Sequence, residues 1–209
     1  MDIAVFKKKP ILGILRGIGA DILEPLLEEV ISAGLETLEI TMNTKDAPEL
    51  IRRAKDICGK RLNLGAGTVL SMQDLKTAIQ SGAGFIVMPV LIREIVEYCL
   101  EKKIPVFPGA FTPGEIYQAH EAGATMVKVF PAKFFGPEYF RELKGPFNNV
   151  ELLACSGVTP DNLKVYFSSG ASAVSFGSSV FRKDWLEKKD FKSINHAVKR
   201  FIDAWNEQR

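Results

Sequence analysis

The chain has 209 residues, of which 46% are hydrophobic and 10% aromatic, and this composition excludes the disordered and fibrous classes of protein. At roughly 150 residues per domain, the length predicts a single domain over residues 1–209. Lys and Arg number 27 against 25 Asp and Glu, and the resulting net charge of +2 is scattered along the chain, so nothing favours a nucleic-acid partner.

The longest apolar stretch, residues 85–92, is interrupted by Pro89. It is far shorter than the ~20 residues that cross a bilayer, so we expect no membrane helix. The apolar run after the first lysines covers only residues 11–15, which is not the pattern of a secretory signal. Three cysteines without CxxC spacing and two distant histidines favour neither a disulfide framework nor a zinc site. We therefore expect a cytoplasmic protein with free thiols and neither metal nor other cofactor.

In chain order, short apolar or β-branched runs alternate with helical patterns, which is typical of a parallel sheet built from βα units. Eight strands are predicted, with starts 20 to 26 residues apart, and this spacing leaves room for one helix after each strand. The strands begin near Ile11, Thr37, Leu62, Phe85, Pro105, Met126, Glu151 and Ala173.

Capping residues mark several predicted helix ends. Side-chain oxygens at possible N-caps predict helix starts at Asp21, Ser71, Thr112-Pro113 and Thr159-Pro160. Glycines that can adopt a left-handed conformation predict helix ends at Gly34, Gly82, Gly123 and Gly170. A last helix is predicted over Phe191–Trp205, because its apolar residues recur on one face, and it should complete the outer layer.

Eight strands with eight helices favour an α/β fold of the compact (β/α)₈ TIM-barrel type, and an open doubly wound sheet is the second possibility. Gly65-Ala66-Gly67 resembles the start of a dinucleotide-binding GxGxxG motif. The third glycine position holds Leu70, however, so the sequence does not predict a dinucleotide site.

Two ionisable residues fall within strands whose faces a barrel would bury. Lys128 lies in Val127-Lys128-Val129, and Glu39 lies in Leu38-Glu39-Ile40. They can form a structural ion pair, or one strand can bow outward and expose its charge. A chemical role is favoured, because a buried pair often stabilises no more than two apolar residues do. Burial disfavours the charged ammonium form of a lysine, and the neutral amine is a nucleophile that can form a Schiff base. A nearby carboxylate can then donate and accept the protons that this chemistry needs.

Further candidates follow the strands, at the end of a barrel where active sites lie. Arg16 follows strand one and can bind a substrate carboxylate in bidentate fashion or form an ordinary salt bridge. Thr68 follows strand three and offers a hydroxyl group. The small-residue turns 155–158 and 176–179 follow strands seven and eight, where barrels commonly hold phosphate on backbone amides, although each turn can also be an ordinary connection.

The chain resembles the class I aldolases of the KDPG/KHG family, which act on 2-keto-3-deoxy-6-phosphogluconate and 4-hydroxy-2-oxoglutarate. The resemblance runs from about Ile11 to Phe181, and the matching motifs occur in the same order as in the family. It rests on Ile14-Leu15-Arg16-Gly17, Leu38-Glu39-Ile40-Thr41, Gly65-Ala66-Gly67-Thr68-Val69, Pro108-Gly109, Val127-Lys128-Val129-Phe130-Pro131-Ala132, Lys144-Gly145-Pro146-Phe147 and Gly157-Val158-Thr159-Pro160.

This resemblance implies a role for each candidate residue. Lys128 would be the Schiff-base lysine and Glu39 the general acid and base. The pyruvate pocket would be lined by Arg16, Thr68 and Pro89, and the phosphate would lie against Gly157, Gly177 and Ser178, with Ser156 and Ser179 nearby. The resemblance also implies a homotrimer that needs no metal.

Two positions depart from the pattern of the family. Asn43 stands where many gluconate-type members have arginine, so Arg16 would carry more of the carboxylate binding. Asn43, together with the segments around Arg16, Phe135 and Ser178, is more similar to the 6-phosphogalactonate branch. Ser156-Gly157 replaces the usual pair of glycines, and the Cβ of Ser156 would narrow the approach of an anion.

The expected reaction is cleavage of a 2-keto-3-deoxy-6-phospho sugar acid, of gluconate or galactonate type, to pyruvate and glyceraldehyde 3-phosphate. Three alternatives stay open: a 4-hydroxy-2-oxoglutarate aldolase, a phosphate-binding barrel isomerase or epimerase without a Schiff base, and a barrel that binds a phosphorylated acid without turnover. Covalent trapping with pyruvate separates the aldolases from the other two.

Overall fold

The fold is a barrel of parallel strands, seen in a computed structural model that describes residues 1–208. The strands are β1 Ile11–Leu15, β2 Thr37–Thr41, β3 Asn63–Gly67, β4 Ile86–Val87, β5 Val106–Phe107, β6 Gly109–Ala110, β7 Val127–Val129, β8 Leu152–Cys155 and β9 Ala173–Phe176. Each lies within one residue of a predicted start, apart from β6, which the sequence did not separate from β5.

The sheet closes at Pro108. Its order is β5-β4-β3-β2-β1-β9-β8-β7-β6, so its two outermost strands, β5 and β6, are neighbours along the chain. Pro108 divides one predicted strand into these two halves, because proline has no N–H to donate to a strand ladder. The eight predicted strand positions and the barrel architecture are thereby confirmed, and the open doubly wound sheet is wrong.

Ten helices and one 3-10 turn surround or close the barrel within residues 1–208. The helices are α1 Ile3–Phe6, α2 Leu23–Ser32, α3 Ala47–Cys58, α4 Met72–Gln80, α5 Arg93–Glu101, α6 Pro113–Glu121, α7 Gly136–Lys144, α8 Leu163–Ser168, α9 Lys183–Glu187 and α10 Phe191–Asn206. The 3-10 turn is Ala132–Phe134. The predicted last helix is confirmed, and it packs against α2 and α8.

Two of the four predicted helix starts are confirmed. Ser71 accepts a hydrogen bond from the Asp74 amide, and Thr112 forms a reciprocal capping box with Glu115. The starts at Asp21 and Thr159-Pro160 are wrong, since α2 begins at Leu23 and α8 at Leu163. Asp21 instead pairs with Lys189 at 2.9 Å, and Thr159 belongs to a turn before α8. All four predicted C-terminal glycines have the expected positive φ, between 91° and 101°.

The lower part of the barrel interior is apolar. Phe6 from α1 packs there, so the N-terminal helix closes this end of the barrel. The other members of the layer are Leu12, Phe85, Val87, Phe107, Met126, Leu153 and Ala173. Because side chains alternate along a strand, the residue two positions after Met126 faces the same interior, one layer nearer the carboxyl ends. That residue is Lys128.

The three cysteines are free and buried. Burial raises the pKa of the Cys58 thiol to about 11 and that of Cys99 to about 12, so both are held as neutral thiols. No helix within residues 1–208 is long and apolar enough to span a membrane. No three His, Cys, Asp or Glu side chains in the same range lie in an arrangement that could hold a metal ion.

Candidate active site

Among residues 1–208, Glu39 and Lys128 are the charged residues of the barrel interior. Glu39 in β2 is 1% exposed, and Lys128 in β7 is 7% exposed. Neither carboxylate oxygen of Glu39 has a hydrogen-bond partner among the described residues. A buried carboxylate without hydrogen bonds is costly, so its presence in the core indicates a functional rather than a stabilising role.

The electrostatic surroundings of Glu39 act in two directions. Burial raises the pKa of the Glu39 carboxyl above its ordinary value, because the charged form loses its hydration. The positive charges of Lys128 and Arg16 lower that pKa and offset part of the effect of burial. A carboxyl whose pKa is raised in this way holds its proton more firmly than an exposed carboxyl does, which suits a group that must donate a proton as well as accept one.

Gly67 makes the space in which the Glu39 side chain lies. A Cβ at position 67 would collide with the Oε1 and Cδ atoms of Glu39. The residues are brought together by the parallel pairing of β2 and β3, in which Thr41 is level with Gly67. Gly67 is therefore required to admit the carboxylate of the neighbouring strand, whereas a Cβ at Gly65 would collide with the ring of Phe85.

Arg16 and Thr68 meet at the carboxyl ends of β1 and β3. Nη2 of Arg16 donates a hydrogen bond of 3.2 Å to Oγ1 of Thr68. Thr68 has φ 54°, which is rare for a β-branched residue and is strain of a kind that clusters at functional sites. The turn after Arg16 is fixed by Thr44, whose Oγ1 accepts a hydrogen bond of 3.0 Å from the Gly17 amide.

A cavity of about 620 Å³ opens above this layer, and we call it the mouth cavity. It joins Arg16 to both predicted phosphate turns, so the residues proposed for the two ends of a substrate share one space. Its lining comprises Ile14, Arg16, Gly17, Phe130, Cys155, Ser156, Gly157, Val158, Ser175, Phe176, Gly177, Ser178, Ser179, Phe181, Lys183, Leu186 and Glu187.

Phe130 connects Lys128 with the space above it. Nζ of Lys128 lies 5.4 Å from the centroid of the Phe130 ring. Phe130 lines the mouth cavity and also a second cavity of about 640 Å³, and Pro89 is part of the lining of this second cavity. Pro89 packs so tightly on Gly109 that a Cβ there would collide with the Pro89 carbonyl. Pro89 is thus held beside β6, the strand that pairs with Lys128.

Asn43 is a predicted site residue for which the structure shows no link to this arrangement. It is exposed in the turn after β2 and lines neither cavity. The other predicted site residues are linked through the barrel interior, the Arg16–Thr68 hydrogen bond or the two cavities.

Sequence reasoning missed several residues of the site. Phe130 could have been found, because it stands two positions after Lys128 and so faces the same side of the strand. No sequence pattern indicated that Lys183 and Glu187 belong to the site. They lie in the short helix α9, and in the sequence they cannot be told from other exposed charged residues. Their place in the mouth cavity depends on where the tertiary structure puts α9.

The turn at Ser156 is strained, and this predicts a gain in stability on substitution. Ser156 has φ 80°, a conformation that favours glycine. Ser156→Gly is expected to raise the free energy of unfolding by about 1 kcal/mol. This is the net effect, because the relief of backbone strain in the folded state exceeds the additional conformational entropy that glycine gives the unfolded chain. Urea unfolding measures this change. Ser178→Gly is the matched control, because the backbone of Ser178 is not left-handed and the change should be neutral or destabilising. Equal effects of the two changes would contradict the assignment of strain to Ser156.

Comparisons with known proteins agree on one family. The family profile described as KDPG and KHG aldolase matches residues 3–197. A 2-dehydro-3-deoxy-6-phosphogalactonate aldolase of Escherichia coli K12 is 34% identical over 198 residues, which cover 94% of this chain and 97% of the relative. A 2-dehydro-3-deoxy-phosphogluconate aldolase of Pseudomonas aeruginosa is 29% identical over 191 residues, covering 91% and 86%.

Solved structures show the same relationship. The structure described as "Native KDPGal structure" superposes with a TM-score of 0.89 at 31% identity and 96% coverage of both chains. A cube-shaped protein cage designed by fusing symmetric oligomeric domains superposes with a TM-score of 0.88 at 30% identity, covering 95% of this chain and 73% of the other.

Proposed function

Because the chain belongs to the KDPG and KHG aldolase family, we propose that it is a class I aldolase that forms a Schiff base on Lys128. The proposed substrate is a 2-keto-3-deoxy-6-phospho sugar acid, cleaved reversibly to pyruvate and glyceraldehyde 3-phosphate without a metal ion. The observation that carries this proposal is the buried pair of Lys128 and Glu39, the latter without a hydrogen-bond partner in residues 1–208.

The proposed reaction begins when Nζ of Lys128, as the neutral amine, attacks the 2-keto carbon. Glu39 donates a proton to the departing hydroxyl, water leaves, and an iminium ion forms. Glu39, now a carboxylate, takes the proton of the 4-hydroxyl, directly or through a water molecule. The C3–C4 bonding pair then moves toward the iminium nitrogen, which releases the aldehyde and leaves an enamine. Protonation of the enamine at C3, followed by hydrolysis, frees pyruvate and Lys128.

The binding roles follow the two ends of the proposed substrate. Arg16 is assigned to the substrate carboxylate, since its guanidinium borders the mouth cavity and its charge acts on Glu39. Thr68 and Pro89 are assigned to the pyruvate portion of the substrate. The phosphate is assigned to the two turns that contain Ser156, Gly157, Gly177 and Ser178. Asn43, exposed after β2, is assigned to the outer part of the site, where the distal hydroxyls would pass.

Covalent trapping tests this function. Borohydride reduction in the presence of pyruvate should give a stable adduct on the peptide that contains Lys128, and turnover should survive treatment with EDTA. Lys144 provides an internal control, because burial lowers its pKa but it is the last residue of α7, at the other end of the barrel. An adduct on Lys144, or none on folded protein with ample pyruvate, contradicts the proposal. Comparing kcat/KM for the gluconate and galactonate epimers and for 4-hydroxy-2-oxoglutarate then identifies the substrate.

We also propose a homotrimer, which exposed aromatic residues near the barrel mouth support. Phe134 and Phe135 are 67% and 57% exposed, and Phe135 stacks on Phe111 with ring centroids 5.2 Å apart. Contiguous exposed apolar groups commonly mark protein interfaces. The similar cage structure is described as a fusion of symmetric oligomeric domains, which adds support from a relative.

Light scattering should give a mass about three times the 23.1 kDa of one chain. Changing both Phe134 and Phe135 to serine should shift the protein toward monomer, because it removes the apolar contact area. Leu100→Ser is the matched control, since Leu100 is 59% exposed but lies near the C-terminal end of α5. A monomeric unmodified chain contradicts the trimer, and equal dissociation of both variants contradicts the assigned surface.

A further inference from the structure

The charges that line the mouth cavity are Arg16, Lys183 and Glu187. Arg16 is bound to Thr68 at the end of the cavity near Glu39, where its charge lowers the pKa of that carboxyl. Lys183 and Glu187 are the first and last residues of α9, which begins a few residues after the turn at Ser178. The cavity therefore has one cation at the keto-acid end and a second cation beside a phosphate turn.

Lys183 is free to change partners. Its Nζ lies 3.7 Å from Oε1 of Glu187, and the two side chains are 89% and 65% exposed. An exposed pair of this kind contributes little to stability. A phosphate dianion carries more charge than one carboxylate and has three acceptor oxygens, so it competes effectively for the ammonium group.

The backbone of the other phosphate turn gives a reason for this second cation. Ser156 carries a Cβ in a turn that runs through left-handed conformations at both Ser156 and Gly157. A side chain at that position limits how closely an anion can approach the amides, and amides alone then supply less of the binding energy. A lysine in the lining of the same cavity compensates with a full charge.

We propose that Lys183 is a phosphate-binding residue, which leaves Glu187 when the phosphorylated substrate enters and thereby sets the preference for phosphorylated over unphosphorylated keto acids. This inference rests on the proposed function, and it assigns to α9 a role in substrate choice. Glu187 acts in the opposite direction, because its carboxylate competes with the phosphate for Lys183 and repels it.

Steady-state kinetics with the full chain test this role. Lys183→Ala should raise KM for the phosphorylated sugar acid about tenfold and leave kcat within about twofold, as expected for loss of one charged hydrogen bond. Glu187→Gln should lower the same KM. The pyruvate concentration for half-maximal borohydride trapping should not change in either variant, because pyruvate has no phosphate. Added salt should raise the KM of the unmodified enzyme more than that of Lys183→Ala.

Lys188→Ala is the matched control, since Lys188 is an exposed lysine directly after α9 that does not line the cavity. An unchanged KM in Lys183→Ala, or an equal rise in Lys188→Ala, overturns the inference while the aldolase activity stands. If the unmodified chain cleaves no sugar acid, titration with inorganic phosphate by calorimetry decides instead. At least fivefold weaker binding by Lys183→Ala supports the role, whereas equal binding, or none by the unmodified chain, overturns it.

Discussion

Replacing Lys128 by alanine is expected to abolish cleavage of the sugar acid and to remove the pyruvate adduct trapped by borohydride. The reason is that no other described lysine lies in the barrel interior, where Lys128 is 7% exposed and close to the charge of Glu39. Without the amine the reaction has no electron sink for the C3–C4 bond. Stopped assays coupled to pyruvate measure the turnover, and peptide mass mapping measures the adduct.

Folding of the Lys128 variant must be separated from chemistry. Lys128→Met keeps most of the side-chain volume and lacks the amine, so it should remain folded and be as inactive as the alanine variant. Circular dichroism and thermal unfolding provide the check. Appreciable turnover in either folded variant would refute a covalent route through Lys128 and favour an isomerase or a binding protein.

Glu39→Gln is expected to lower kcat by roughly 10²–10⁴, the usual contribution of a positioned acid and base. The amide keeps the shape of the side chain but cannot accept and return a proton. Formation of the pyruvate adduct should slow as well, because loss of water also needs the proton. Rapid-quench trapping distinguishes the two steps. A variant with unchanged kcat would show that water or another group moves the protons.

The same variant should be more stable than the unmodified protein at neutral pH. Burial raises the pKa of Glu39 in the folded state, so the folded protein holds this proton more tightly than the unfolded chain does. The resulting penalty is absent below the ordinary carboxyl pKa of 4.5, grows as the pH rises above that value and is complete once the pH has passed the raised folded-state pKa. Urea unfolding should show an advantage of Glu39→Gln at pH 8 that narrows toward pH 5. A constant difference would assign the effect to packing.

The sequence by itself determined the architecture, and it predicted most residues of the candidate site. Regular alternation of apolar runs with helical patterns predicted the eight strand positions, since the periods of strands and helices are local properties of the chain. Lys128 and Glu39 stood out for the same reason, as charges in runs that a barrel must bury. The sequence also predicted the glycines that end four helices, because a left-handed backbone conformation depends on a single residue.

Only the tertiary structure decided which residues face each other. The division of one strand at Pro108, the fit of Glu39 against Gly67 and the closure of the barrel base by Phe6 all depend on contacts between separate elements. The helix starts at Asp21 and Thr159 were wrong because a capping residue can equally close a turn before the helix. Lys183 lines the mouth cavity because of where α9 is placed in the fold. Such contacts follow from strand register and helix placement, which no local pattern of residues encodes.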